Sequence, residues 1–437
     1  MWTIPFITIW VLTTGIFCTV QFKFINIRLF KYGIHTLINL NHNINNCGVI
    51  THIQAFSTAL SGTIGLGTIS GVAIAVTIGG PSTIFWMIIT GIFCMSIKFA
   101  EVVLAFIYRS ENPIGGSFYY IEYGLAKLGF IITGKLLAYI YAIILTIAML
   151  LGGIPFQANQ ISMLSNNLFQ YDISIIISIV VFIVSLGGIR SISFIATILT
   201  PIMVILYIVI CIYIIYLHGH NLLYSFCLIF QDLFNTSAIG GGIFSGLITG
   251  IRRAVFANEA GTGTAAIAHS IVQERDPIKV GCVAMLAPFV DTVLISFLTG
   301  IIILITDTHN SINTIGDITL ISKILVTDIP ILKTSILPVM MFSFAFSTII
   351  AYCYYYEVAL YYLFGDKKIS ILFQIFIVIS VYISCVSENI EYISYMGESL
   401  FMCLIIPNSI AIFLLRKEIL HVIDSYYNSK RCVKNVL

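Results

Sequence analysis

Apolar residues run through this chain in long stretches separated by short polar segments, from one end to the other. A helix that crosses a bilayer needs about 20 apolar residues. Runs near that length recur at 2–25, 54–77, 81–108, 134–165, 173–189, 194–217, 238–257, 281–306, 335–362, 370–387 and 393–415. Only helices and closed barrels satisfy every backbone polar group in lipid, and unbroken apolar runs without period-two alternation select helices. The pattern predicts an all-α polytopic membrane protein of about eleven transmembrane helices. The run at 54–77 is numbered here as core helix one and that at 393–415 as core helix ten, with 2–25 as an extra helix before them.

Two further segments are apolar without spanning. Segment 26–51 sets Phe30, Ile34, Leu37 and Ile38 against Asn41, Asn43 and Asn45, which suits either an amphipathic surface helix or a plain loop. Segment 222–235 is too short to cross and reads as a half-helix or a surface segment.

Composition narrows the class. Of 437 residues 59% are hydrophobic and 9% charged, against about 25% charged in soluble domains. A net charge of +2 provides no basic field for nucleic acid. The ten cysteines are scattered without a C-x-x-C pair, so neither a disulfide framework nor a zinc site is expected. The N-terminal run lacks a basic leader and reads as a retained span. With the N-terminus placed outside, all 21 lysines and arginines except Lys323 and Lys333 fall on the inner side, the bias that positions membrane proteins. The expectation is a plasma (cell inner) membrane protein with 416–437 as a cytoplasmic tail.

Three places disturb plain helix. Ser61 to Gly71 carries Gly62, Gly65, Gly67 and Gly71 among hydroxyls in core helix one. Glycine costs about 1 kcal/mol in a helix interior, so the cluster serves either unwinding that exposes carbonyls or close helix packing. Its spacing and lack of a βαβ context exclude a dinucleotide fingerprint. Gly240, Gly241 and Gly242 stand at the entrance of core helix six. Glycine-interrupted spans at matching positions of two five-helix halves, 54–217 and 218–415, point to a transporter site. Ser347 and Thr348, in Phe344-Ala-Phe-Ser-Thr of core helix eight, either bond back to their own helix or offer hard oxygens to a small cation.

Polar residues inside spans are functional candidates by default. Gln157 and Asn159 lie near Gly152, Gly153 and Pro155 of core helix three, and an amide that donates and accepts suits a zwitterion. Asp291 lies in core helix seven and Glu357 in core helix eight, while Glu101 is expected to pair with Lys98 or Arg109.

With these residues in view, the chain resembles the alanine/glycine:cation (sodium:alanine) symporter family. The blocks are ALSGTIGLGTISGVAIAVTIGGPSTIFWMIITG running into MSIKFAEVVLA at 59–105, NPIGGSFYYIEYGL at 112–125, RRAVFANEAGTGTAAIAHS at 252–270 and VAMLAPFVDT at 283–292. A looser match is FSFAFSTIIAYCYYYE at 342–357. The resemblance implies a leucine-transporter-like 5+5 inverted repeat preceded by one extra helix, no enzymatic activity or cofactor, and sodium-driven uptake of alanine or glycine. Carried over, substrate lies against Thr63, Gly65, Gly67, Thr68, Gln157, Gly240–Gly242 and Tyr352. Sodium meets Ser61, Ile64 and Phe344 carbonyls and the Ser347 and Thr348 hydroxyls. Asn258 and Glu259, with Glu101 and Asp291, form an inner gate or structural lock. The chain departs from the family pattern at Leu66 and Thr68, where Thr-Gly-Asn is usual, at Ala351-Tyr352, where Gly-Trp is usual, and at Tyr356. The competing readings are a proton-coupled carrier of a different amino acid, using Asp291 or Glu357, then a channel, then a membrane enzyme. No repeated pore segment supports the channel, and histidines placed mostly in loops do not support the enzyme.

Overall fold

The computed structural model describes residues 3–38, 48–109, 115–169, 174–234, 243–306, 318–329, 336–387 and 391–436. Among them, six helices are long and apolar enough to cross a membrane: Ser82–Ile107, Ile131–Met163, Gly188–Leu217, Pro277–Ile305, Ile336–Phe364 and Gly397–Asn428. A seventh span is the pair His52–Thr63 and Leu66–Gly79, bent by 40°. Phe6–Gln21, Ser174–Leu186 and Leu372–Val386 are shorter apolar helices, and Ile243–Asn258 lies in the remaining run. These match the expected positions of the extra helix and all ten core helices.

Local chemistry sets several ends. Thr51 and Gln54 form a capping box at the start of His52–Thr63, so two orphan N–H groups are satisfied there. Gly80 takes φ +80°, and a Cβ there would lie 2.6 Å from an Asp232 carboxylate oxygen. That carboxylate accepts the Ser82 amide at 2.9 Å. The short apolar segment 222–235 is thus a helix, Leu222–Leu233, whose last turn caps core helix two. The other surface segment forms Ile25–Arg28 and Phe30–Ile38, the latter so close to core helix seven that a Cβ at Gly33 would sit 2.4 Å from the Cys282 carbonyl oxygen. Its asparagines at 41, 43 and 45 lie outside the described residues. The final helix runs from Glu391 to Val436, so the stretch expected as a tail after 415 continues core helix ten.

The extra helix Thr3–Gln21 lies across core helices two and ten. Trp10 donates to Ser409 at 2.7 Å and Thr19 to Ser96 at 2.9 Å. At the end of the bundle where core helix one begins, Arg109 donates to the Val272 and Glu274 carbonyls, and Glu274 accepts from Lys279 at 3.2 Å and faces His52 at 3.4 Å. Burial raises the Glu274 carboxyl, but the His52 contact, the Arg275 amide and Lys279 outweigh it and hold it at about 2. A depressed folded value stabilises above the unfolded one, near 4.5, and that stabilisation is lost as pH falls toward 2. Glu274→Gln is therefore expected to lower the melting temperature at pH 6 and to make it less sensitive to pH between 4.5 and 2, read by thermal unfolding in detergent.

Candidate functional site

The break in core helix one falls at Ile64–Gly65, inside the glycine cluster. The second half-helix begins under the side chain of Gln157, whose Oε1 accepts the Leu66 amide at 3.0 Å. A Cβ on Gly65 would lie 2.5 Å from Gln157 Nε2 and 2.7 Å from Thr348 Oγ1. Gly65 is extended, with φ −109°, so space and not a left-handed backbone requires glycine there. Gly62 and Gly67 meet aromatic groups, Tyr355 Oη at 3.2 Å from a Gly62 Cβ and Phe156 and Phe256 at 3.2 and 3.4 Å from a Gly67 Cβ. The cluster therefore supplies both things its spacing allowed, a break at 64–65 and close packing on either side. Ile64 is buried, and its amide returns to Leu60.

Core helix eight meets this break directly. The Thr348 hydroxyl donates to the Ser61 carbonyl, 287 residues away, at 2.7 Å and approaches the Phe344 carbonyl at 3.0 Å. Ser347 donates to Phe344 at 3.0 Å. Ser61, Phe344, Ser347 and Thr348 thus form one buried oxygen cluster of the hard donors that suit a small cation.

Gly240, Gly241 and Gly242 lie outside the described residues. Core helix six is described as Ile243–Asn258, and a loop after it leads into the short helix Thr264–His269, with Glu259, Gly261 and Gly263 at positive φ. Asn258 and Glu259 stand at the start of this loop. Asn258 accepts the Ala260 amide and donates to Thr292. Glu259 accepts from Thr264 and Tyr352, each at 2.5 Å, while Lys98, fully buried, donates to its carbonyl at 3.0 Å. Glu101 does not pair directly with Lys98 or Arg109. It accepts from the Gly263 amide and from Asn408 instead, because the loop turns its N–H groups toward core helix two. Ser117 and Tyr120 of the Gly-Gly-x-x-Tyr-Tyr block and Tyr141 add hydrogen bonds to Gly263, Asn408 and Thr262.

Beside Gly67, just after the break in core helix one, lies an aromatic box. Phe156 faces Phe256, Phe256 faces Phe401, and Phe401 faces Tyr352, with ring centroids 5.8 to 6.3 Å apart. A Cβ on Gly153 would collide with Tyr352 at 2.6 Å. One turn of core helix ten before Phe401, Glu398 binds both Arg252 and Arg253, at 2.5 and 2.8 Å. The sequence count sets those arginines, and Lys98, with the inner-side cations. Each lies in the bundle, where a partner offsets the cost of removing its charge from water. Charges inside apolar runs at 98 and 398 were the available signal. Asn159 serves architecture, donating to the Ser384 and Ser387 carbonyls of core helix nine.

The family model described as the sodium:alanine symporter family matches residues 1–436. The sodium/alanine symporter AgcS of Methanococcus maripaludis is 31% identical over 421 residues, covering 94% of this chain and 92% of that protein. The probable sodium/glutamine symporter GlnT of Bacillus subtilis is 28% identical, covering 97% and 88%. Among solved structures, MhsT in complex with L-phenylalanine aligns with a TM-score of 0.61 at 14% identity, over 85% of this chain and 90% of that one. The fold is therefore leucine-transporter-like, and both fold and family are those of multi-pass transporters rather than enzymes. From the residues that break its helices to its full-length match, this chain belongs to the sodium:alanine symporter family.

Proposed function

We propose that the protein carries a small neutral amino acid, alanine or glycine, into the cell together with sodium by alternating access. The observation that carries this reading is the oxygen cluster of Ser61, Phe344, Ser347 and Thr348 beside a helix break faced by Gln157. Sodium enters where Thr348 now bonds the Ser61 carbonyl, the hydroxyl keeping its proton, turning it away and offering its oxygen; with the Ile64 carbonyl added, the ion holds core helices one and eight in register. The substrate carboxylate lies at the N-terminus of Leu66–Gly79, against Gly65, Gly67 and the Thr63–Thr68 backbone, where amides and the helix dipole favour a negative group. Its amine meets carbonyls of the break and the Gln157 side chain. The aromatic box limits the side chain, because Phe156 and Phe256 close on Gly67 and Tyr352 closes on Gly153.

In this reading two clusters flank the site as closures, Arg252 and Arg253 on Glu398 at one and the Glu259–Tyr352 pair with its Lys98 tether at the other. The Lys/Arg bias supports a cytoplasmic position for the end bearing Arg109, Arg275 and Lys279, which makes the Glu398 pair the outer closure and the Asn258–Glu259 loop the inner one. The membrane potential adds about 2.3 kcal/mol per inward positive charge at 100 mV.

The test is uptake of labelled alanine by proteoliposomes under an inward sodium gradient, beside a sodium-free control. Uptake above the external concentration, present only with sodium and competed by glycine, is the expected result. Uptake driven by a proton gradient without sodium would overturn the ion assignment, and failure of both alanine and glycine to compete would overturn the substrate.

A further inference from the structure

The surface helices that follow the extra helix carry a second apolar face, exposed among the described residues. The Leu29 amide donates to the Ile25 carbonyl at 3.0 Å and the Gly33 amide to the Leu29 carbonyl at 2.9 Å. Helical bonding therefore runs across Leu29, and Ile25–Arg28 and Phe30–Ile38 act as one helix. Side chains three, four and seven apart then share a face. The inward face is Ile25, Asn26, Leu29 and Gly33, all buried. Asn26 donates to the Ile92 carbonyl of core helix two at 3.0 Å, and Gly33 closes on core helix seven. On the opposite face Ile27 and Ile38 are 67% and 69% exposed, with Ile34 between them and Phe24, 50% exposed, ahead of them.

Polar side chains line one edge of this face. Arg28, Lys31 and His35 are exposed and fall on one helical stripe. Arg28 donates to the Lys23 carbonyl at 3.4 Å, which brings Lys23 to the same edge, and lies 4.5 Å over the Tyr427 ring of the final helix. Lys23 and Phe24 take left-handed φ, +54° and +57°, a costly conformation for residues with a Cβ. Phe22 and Ile25, buried on either side, hold this turn. No ion pair reaches Lys23, Arg28 or Lys31 among the described residues, and the chain has no Asp or Glu before Glu101. Asp276, near Tyr32, is engaged by the Ile278 amide at 2.9 Å. Isoleucines beside unpaired cations match the boundary of a bilayer, where apolar side chains enter the acyl region and Lys and Arg reach the phosphates. A zwitterionic headgroup brings its own cation and leaves the charge of this edge unbalanced, whereas an anionic headgroup balances it.

We propose that this face docks an anionic phospholipid, with its phosphate on Lys23, Arg28 and Lys31 and its acyl chains along Phe24, Ile27, Ile34 and Ile38. The lipid belongs to the leaflet at the end of the bundle that bears Lys279. Bound there, it anchors a helix that touches core helices two and seven and, through Arg28 on Tyr427 and Tyr32 on Tyr426, the final helix.

The test is native mass spectrometry of the purified full-length protein in detergent with equimolar phosphatidylglycerol and phosphatidylcholine. The unaltered protein is expected to retain phosphatidylglycerol over phosphatidylcholine by roughly 10-fold. Combined Lys23→Gln, Arg28→Gln and Lys31→Gln should remove most of that preference, and combined Lys23→Arg, Arg28→Lys and Lys31→Arg should keep it. Soluble glycerol 3-phosphate at the same concentration should not displace the lipid, because it lacks the acyl chains. Equal retention of the two lipids by the unaltered protein, an unchanged preference in the glutamine variant, loss of preference in the charge-conserving variant, or displacement by glycerol 3-phosphate would each overturn the proposal. Neither sodium nor amino acid enters this test, so its failure leaves the transport reading intact.

Discussion

Thr348→Val is expected to leave a folded protein whose amino acid uptake no longer responds to sodium. The substitution conserves shape and deletes one hydroxyl, the group that joins core helix eight to the Ser61 carbonyl at 2.7 Å. Two losses coincide. The Ser61 carbonyl, buried at a helix break, loses its donor, which costs about 1–3 kcal/mol. A sodium ion loses one oxygen ligand that a methyl group cannot replace. Uptake at saturating sodium should fall at least 10-fold, and what remains should be equal in sodium and choline buffers. Thr348→Ser restores the hydroxyl and should recover most of the response. A Thr348→Val protein with an unchanged sodium activation curve would remove this hydroxyl from the ion site.

Gly65→Ala is expected to abolish transport with the fold intact. The new methyl group meets two groups at once, the Gln157 amide at 2.5 Å and the Thr348 hydroxyl at 2.7 Å. Both distances are below van der Waals contact, and overpacking of this kind costs about 1–3 kcal/mol. Relief requires Gln157 to release the Leu66 amide or Thr348 to release Ser61. Either movement dismantles the site, so uptake should drop by about 100-fold, a value that corresponds to ~2.7 kcal/mol. Gly67→Ala is the useful comparison. Its methyl group would approach Phe156 and Phe256 at 3.2 and 3.4 Å, contacts that rings relieve by small shifts. It should raise the KM for alanine more than for glycine and spare sodium activation. Comparable loss in both variants would show that the tolerance of this segment is set by helix packing generally and not by the Gln157–Thr348 contact.

Much of this architecture was legible without coordinates because its signals are local. Eleven apolar runs predict eleven helices, since lipid leaves the backbone no alternative. The glycine cluster announced a break because four glycines weaken one helix segment regardless of what surrounds it. The expected break at Gly240–Gly242 lies outside the described residues, and the loop after core helix six was harder to read: Glu259–Gly263 spreads its glycines through Glu-Ala-Gly-Thr-Gly and is stabilised from outside, by Lys98, Glu101, Tyr141 and Asn408. A loop that owes its conformation to three other helices carries little local signature.

The sequence by itself determined the class of molecule, the number and order of helices and the place of the break in core helix one, because each follows from hydropathy, glycine content or motif within about 20 residues. Only the tertiary structure decided the partners. Lys98 meets Glu259 across 161 residues, Arg253 meets Glu398 across 145 and Asp232 caps the helix at Ser82 across 150. The role of a charged side chain in a membrane depends on the group that offsets its desolvation, and sequence spacing over such distances does not define which helices become neighbours. For that reason the two arginines were counted with the inner-side cations in the sequence, and packing set both on Glu398 of core helix ten.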